Sequence, residues 1–364
     1  MRSVEVEKYG GENVTEMREN ADRAQAHAQE GGDKILVLSA MRDEKFNTTS
    51  SLIAAACDIQ NGEIQNAMTR VCAISEFTKA VIHRETSEDL YSELETVLFN
   101  TLAELSSVLS SATNITSDGS DYHTEDGISI TRFGELISQR IYARYFELLG
   151  IQSQELNLSS YNDFETELAD FQGGIGISGG HTHGLSQERG YSDLKAAAIA
   201  KTFDGLGLTT DLIVTKQFSL HSADPRQFNR TTHISSMRSD VAAVAFAANG
   251  VVQSNVMTML KGTNVRIRVL NSNTGASTWV TPQTDTPSGS VQLIHCDYTD
   301  EGIHVQFIGP GVNGPVTRAT TKILNELGID DYYHEDHNNM VRLSSPYLSE
   351  ATLQTLHDRL TQTR

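Results

Sequence analysis

The chain has 364 residues, 38% of them hydrophobic, and a formal net charge of −19. That length accommodates two or three domains with real cores, the apolar content excludes a disordered chain, and the negative charge argues against a nucleic-acid partner. Cys57, Cys72 and Cys296 are too scattered for a disulfide framework; no stretch reaches the roughly 20 apolar residues of a membrane span; with no apolar leader core before the first strand pattern, a cytoplasmic protein is expected.

Val4 to Tyr9 reads as a short strand carrying Lys8 near its end, followed by Gly10 and Gly11. A helix pattern runs from about Thr15 to Glu30. Glycines let a backbone approach a ligand closely, and a helix N-terminus offers free N–H groups to an anion. With the lysine these make a phosphate-site candidate, although the spacing is not that of a Walker A loop. A tight turn beside a solvated lysine is the competing reading. The apolar run Lys34 to Ala40 predicts a strand buried on both faces of a parallel sheet. A mostly helical stretch follows from Thr49 to Thr113, in which Leu90, Leu94, Val97, Leu98, Leu102, Leu105 and Leu109 form a stripe at helical spacing, expected to pack in a core or a dimer.

Another helix is expected over Ile130 to Leu149, then a glycine-rich segment at Gly173 to Gly180, a helix at Ser192 to Thr202 and a strand at Asp211 to Thr215. A helix at Ser239 to Ala248 and a strand at Val265 to Val269 continue the alternation. Such repetition indicates a three-layer α/β sandwich around a largely parallel sheet. The Pro- and Thr-rich segment 281–289 reads as a linker, dividing a domain at 1–282 from a smaller one at 290–364. The smaller domain shows strands at Ser290 to Cys296, Gly302 to Ile308, Ile329 to His334 and Met340 to Leu343. Its helices fall at Pro315 to Leu327 and Ser349 to Leu360. This is a ferredoxin-like α+β order, marginal alone and expected to pair with a second copy. His181-Thr182-His183 lacks a convincing third ligand for a metal and suits a substrate-lining loop better.

Five segments together resemble the aspartate kinases of the amino-acid kinase superfamily. They are Lys8-Tyr9-Gly10-Gly11, Leu38-Ser39-Ala40-Met41, Gly134-Glu135-Leu136-Ile137-Ser138, Arg189-Gly190-Tyr191-Ser192-Asp193 and Ser222-Ala223-Asp224-Pro225-Arg226. Each is weak; their order and spacing over residues 1–280 are not. The fourth and fifth, with Lys216-Gln217-Phe218, are closest to the kinases associated with ectoine synthesis. Phe307-Ile308-Gly309-Pro310-Gly311 resembles the opening of an ACT regulatory domain, and this chain has room for one such unit. Departures are Glu12-Asn13 in place of the family's Thr-Ser, and Val252 where a nucleotide-site lysine is usual. A carboxylate at Glu12 would repel phosphates, so it must point away or serve another group.

The resemblance implies phosphorylation of the β-carboxylate of L-aspartate by ATP. It implies Lys8 and Asp193 as catalytic residues, with Asp193 orienting Lys8. Ser39, Thr49, Glu135, Arg189 and Ser192 would bind the acceptor. Lys8, Gly10, Gly11, Thr215, Lys216, Asp224 and Arg226 would bind ATP, with Lys216 substituting for the missing lysine. Arg189 suits the α-carboxylate and Glu135 the ammonium, although such residues also pair structurally. Mg²⁺ would travel on the ATP phosphates with no dedicated protein ligand. An amino-acid effector at the ACT-like domain and a homodimer or higher homo-oligomer are further implied. The alternatives are another small amino acid or carboxylate as acceptor, or a non-catalytic amino-acid sensor.

Overall fold

The computed structural model describes residues 2–112, 114–117, 122–124, 128–182, 191–217, 219–249, 251–281, 290–299, 302–337 and 339–361. The chain gathers into two compact units, one of residues 1–216 with 262–265 and one of residues 217–261 with 266–364.

The first unit runs β1 (Ser3–Tyr9), α1 (Gly11–Val14), α2 (Met17–Gln29), β2 (Asp33–Leu38), α3 (Thr48–Gln60), α4 (Ile64–Glu85), α5 (Glu88–Ser111), β3 (Ile115–Ser117), β4 (Tyr122–Thr124), α6 (Arg132–Leu148), β5 (Ser153–Glu155), α7 (Phe164–Ala169), β6 (Ile175–Gly179), α8 (Tyr191–Gly205) and β7 (Thr209–Lys216). Its sheet is parallel in the order β5-β6-β2-β1-β7. The apolar run of β2 occupies the middle because only a strand covered on both faces can be apolar throughout; Ile35, Leu36, Val37 and Leu38 have no exposed surface. The helical stretch resolves into α3, α4 and α5. The Asn47 side chain caps α3 by accepting from the Ser50 amide at 3.0 Å. The leucine stripe buries Leu94, Leu98, Leu102, Leu105 and Leu109 in the core of this unit, with Leu90 and Val97 partly covered.

The glycine-rich segment becomes β6, a strand its composition conceals. Its glycines are needed for close approach. A Cβ on Gly179 would lie 3.2 Å from the Glu135 carbonyl in α6, and one on Gly180 only 2.6 Å from the Ser192 Cβ in α8. Two helices therefore crowd the end of one strand.

Successive residues of β1 face opposite sides of the sheet. Glu7, 2% exposed, meets the Lys34 ammonium at 2.7 Å and accepts from the Thr215 hydroxyl at 2.9 Å. Arg23 stands 4.0 Å away, and Lys34 also reaches Glu5 at 3.2 Å. Burial alone would raise the Glu7 carboxyl; the charges of Lys34 and Arg23, with hydrogen bonds from Lys34 and Thr215, more than reverse this and hold it below the ordinary carboxylate value.

The second unit contains β8 (Ser236–Arg238), α9 (Ser239–Asn249), α10 (Ser254–Met259), β9 (Arg266–Asn271), β10 (Ser277–Thr281), β11 (Leu293–Thr299), β12 (Gly302–Ile308), α11 (Pro315–Glu326), β13 (Tyr333–His337), β14 (Met340–Ser345) and α12 (Glu350–Thr361). Here β10 pairs antiparallel with β9 and parallel with β8. The remaining strands form an antiparallel sheet in the order β11-β12-β14-β13. That is the spatial order of a ferredoxin-like sheet, with the strand that would close it supplied first rather than last. Val305, Phe307, Val341 and Leu343 are fully buried against α11 and α12 residues such as Leu324 and Leu356. The segment read as a linker lies outside the described residues except at Thr281. Among the described residues no helix is long and apolar enough to cross a membrane.

Candidate active site

Ligands of open parallel sheets gather at the carboxyl ends of the strands, and there the first unit collects its charges. Lys8, near the end of β1, is 6% exposed, and its ammonium lies 2.7 Å from Asp193 in the first turn of α8. Lys216 closes β7, and its ammonium stands 3.9 Å from the other oxygen of the same carboxylate. Burial and the neighbouring Lys8 charge push the Lys216 ammonium down to about 8, against the pull of Asp193. Two cations thus flank one anion, leaving net positive charge beside a glycine turn.

Gly10 caps the N-terminus of α1, and a Cβ there would stand 3.9 Å from the Lys8 ammonium. A Cβ on Gly11 would meet the Ala40 carbonyl at 2.5 Å and the Arg42 Cγ at 2.7 Å, so no larger residue fits without moving backbone. From the end of β2, the Ser39 hydroxyl bonds that of Ser192 at 2.8 Å. The Ser39 carbonyl accepts from Ser138 of α6 at 2.9 Å, so the serine of the α6 motif clamps the loop. Glu12 pairs with Arg42 at 3.5 Å, which offsets the carboxylate that the sequence places awkwardly near a phosphate site. Arg42 was not singled out in the sequence because its partner is thirty positions away.

A cavity of about 710 Å³ opens on the same unit, lined among others by Arg132, Glu135 and Gln139 of α6, Leu158, His181, and Lys195 of α8. Gly179 belongs to its wall, and the next residue, Gly180, packs against Ser192 of α8. Lys195, 2% exposed, donates to the carbonyls of Leu158 at 2.8 Å and His181 at 2.9 Å. Sequence reasoning passed over it; the available signal was one lysine inside the apolar helical run Leu194 to Ala200.

The structure therefore brings together Lys8, Gly10, Gly11, Ser39, Ser192, Asp193 and Lys216, with Glu135 on the adjoining cavity. Thr49 is half-buried in the first turn of α3. The Thr215 side chain is committed to Glu7, on the sheet face opposite Lys8. Asp224 and Arg226 belong to the second unit and pair with each other at 2.7 Å, with the Arg226 side chain 88% exposed. Arg189 and His183 lie outside the described residues. His181 lines the cavity, and Thr182 donates to the Leu158 carbonyl at 2.8 Å. Among the described residues no group of three or more His, Cys, Asp or Glu is placed to hold a metal. Asp193 has lysines against both oxygens, an arrangement suited to a metal carried by a nucleotide's own phosphates rather than by protein carboxylates.

A parallel α/β sheet whose strand ends gather lysines around a glycine turn defines a class of phosphate-handling proteins. The chain belongs to the amino acid kinase family, whose model matches residues 3–271. Among solved structures it is similar to E. coli aspartokinase III in complex with lysine and aspartate in the T-state. That match has a TM-score of 0.60 and 18% identity, over 98% of this chain and 83% of that one. The same E. coli enzyme in complex with aspartate and ADP in the R-state gives 0.59 and 17%, over 98% and 84%. Clostridium acetobutylicum aspartate kinase gives 0.60 and 14%, over 99% and 82%. At such identities the likeness is one of fold. Comparison with curated protein sequences returns no match.

Proposed function

We propose that the chain is an aspartate kinase, transferring the γ-phosphoryl group of ATP to the β-carboxylate of L-aspartate. The observation that carries this reading is the Lys8–Asp193–Lys216 cluster at the strand ends, beside a cavity that offers both an anion at Glu135 and cations at Arg132 and Lys195. Such a cavity suits a zwitterion. The likeness to structures holding aspartate and ADP agrees with it.

A carboxylate is already a nucleophile, so the site needs no general base. It must hold two anions in line and offset charge on the transferring group. Lys8 and Lys216 supply that charge, and Asp193 keeps both ammonium groups pointed inward. Gly10 and Gly11 allow the phosphates to approach the backbone. Ser39 and Ser192 offer hydroxyls to the acceptor, and Thr49 adds a third. Glu135 receives the acceptor's ammonium and Arg189 its α-carboxylate. Mg²⁺, carried by ATP, lowers the phosphate charge. Residues 1–282 form the catalytic domain. Residues 290–364 form an ACT-like domain that pairs two chains and takes an amino-acid effector.

ADP release measured with ATP, Mg²⁺ and a panel of amino acids tests the acceptor. Aspartate should give the highest kcat/KM. A different preferred acid would reassign the substrate, and no turnover with any acceptor would leave an amino-acid sensor.

Lys216→Met is expected to raise the KM for ATP by on the order of tenfold or more, the worth of one charged hydrogen bond, with little change for aspartate. In the wild type, kcat/KM for ATP should fall as pH rises past about 8, where the free enzyme's Lys216 loses its proton. In the variant that limb should be absent. Equal effects on both substrates would remove Lys216 from the nucleotide site.

A further inference from the structure

The proposed function gives one buried cation of the cavity no acceptor group of its own. Lys195 is 2% exposed, yet among the described residues its ammonium has two backbone carbonyls as hydrogen-bond partners, at 2.8 and 2.9 Å. An ammonium has three donors, so one N–H is not spent on those carbonyls. Burying a cation is costly without an opposite charge, and among the described residues the carboxylate that acts on it is Glu135, through space rather than by contact. Burial accordingly pushes the Lys195 ammonium down to about 7, with Glu135 only partly opposing. Both carbonyls belong to residues that line the 710 Å³ cavity, as do Lys195 and Glu135.

The place of this lysine on its helix gives the direction. Ser192 and Lys195 are three residues apart on α8 and so share a face. Ser192 reaches Ser39 on the phosphate side, while Lys195 opens onto the cavity. An acceptor whose reacting carboxylate sits by Ser39 and Ser192 would extend its other end toward Glu135 and Lys195. Glu135 suits an ammonium. Lys195 then needs an anion on the same carbon, because only that returns the charge its burial removed.

We propose that Lys195 is a specificity-determining residue of the acceptor cavity, sharing with Arg189 the α-carboxylate of an acidic amino acid whose ammonium faces Glu135. This rests on the cavity being the acceptor site of the proposed kinase. It makes selection depend on a charge held in the wall: an acceptor without an α-carboxylate leaves that cation unanswered, and the site disfavours it. Thr182 also donates to the Leu158 carbonyl, so the wall keeps one of its fastenings when Lys195 is replaced.

β-Alanine is the informative probe, since it keeps the ammonium and the reacting carboxylate of aspartate and lacks only the α-carboxylate. Calorimetric binding of aspartate, β-alanine and ADP would be compared in the wild type, Lys195→Met and Lys195→Gln, with melting temperatures to confirm folding. The wild type should prefer aspartate over β-alanine by on the order of tenfold or more. Both variants should lose a clear part of that preference, several-fold or more, while ADP binding stays within about twofold. The glutamine retains donors for the carbonyls, so a wall-fastening role alone would leave the preference intact in Lys195→Gln and overturn the proposal. A wild type that binds no aspartate, or variants that keep the preference, would also overturn it. Aspartate binding that depends on Lys195 without ADP release from ATP would sustain the inference and defeat the kinase reading; ADP release with an unaltered preference would do the reverse.

Discussion

Lys8→Met should lower kcat by at least about 10²–10³, the usual cost of removing one preorganised donor from a developing charge, and leave the melting temperature nearly unchanged. Removing one member of a buried ion pair normally strands the other. Here it does not, because Lys216 already stands 3.9 Å from the other oxygen of Asp193 and can close on it. Methionine fills the space of the lysine stem. Initial rates at saturating ATP and acceptor, with a thermal melt of the same preparation, separate the two effects. Turnover within a few-fold of wild type would remove Lys8 from the chemistry. A large loss of stability at unchanged rate would make its pair with Asp193 a structural one.

Glu7→Ala is the opposite case one residue earlier. It should cost about 1–3 kcal/mol of stability, because the buried ammonium of Lys34 loses its 2.7 Å partner and keeps Glu5 at 3.2 Å. The Thr215 hydroxyl also loses its acceptor. Denaturant titration should show a lower midpoint, and the folded fraction should keep its KM values, since Glu7 faces away from Lys8. The pH dependence follows from the depressed carboxyl. Its contribution to stability is present above the ordinary value of 4.5 and is lost as pH falls through the lower folded value. The wild type should therefore lose stability more steeply than the variant below pH 4.5. Equal acid profiles would show that the network contributes nothing net.

These adjacent residues also show where sequence is a good guide. Lys8 stood out in the sequence by the two glycines that follow it at a strand end, and its burial, 6% exposed, removes the competing reading of a solvated lysine. Glu7 did not stand out, since a carboxylate inside a strand reads as a solvated face until Lys34 and Thr215, from two other strands, are seen to converge on it. Uninterrupted apolar runs such as β2 and long stripes such as α5 announced themselves by periodicity. The strand β6 was hidden by its glycines, which depress strand propensity and are there because two helices crowd its end. The short strands β8 and β10 and the helix α10 had too few residues to establish a period. The displaced first strand of the antiparallel sheet is a matter of topology, which local pattern does not encode. Lys195 was missed for a related reason: its significance lies in carbonyls of Leu158 and His181, brought to it by chain reversals.

The most direct test of phosphoryl transfer to a carboxylate is to trap its product. An acyl phosphate reacts with hydroxylamine to give a hydroxamate, whereas a phosphate ester or a futile ATPase gives none. Incubating the protein with ATP, Mg²⁺, L-aspartate and hydroxylamine should yield aspartyl β-hydroxamate in step with ADP, and Lys8→Met should abolish both. ADP formation without hydroxamate, or hydroxamate formed equally well by Lys8→Met, would contradict the assignment.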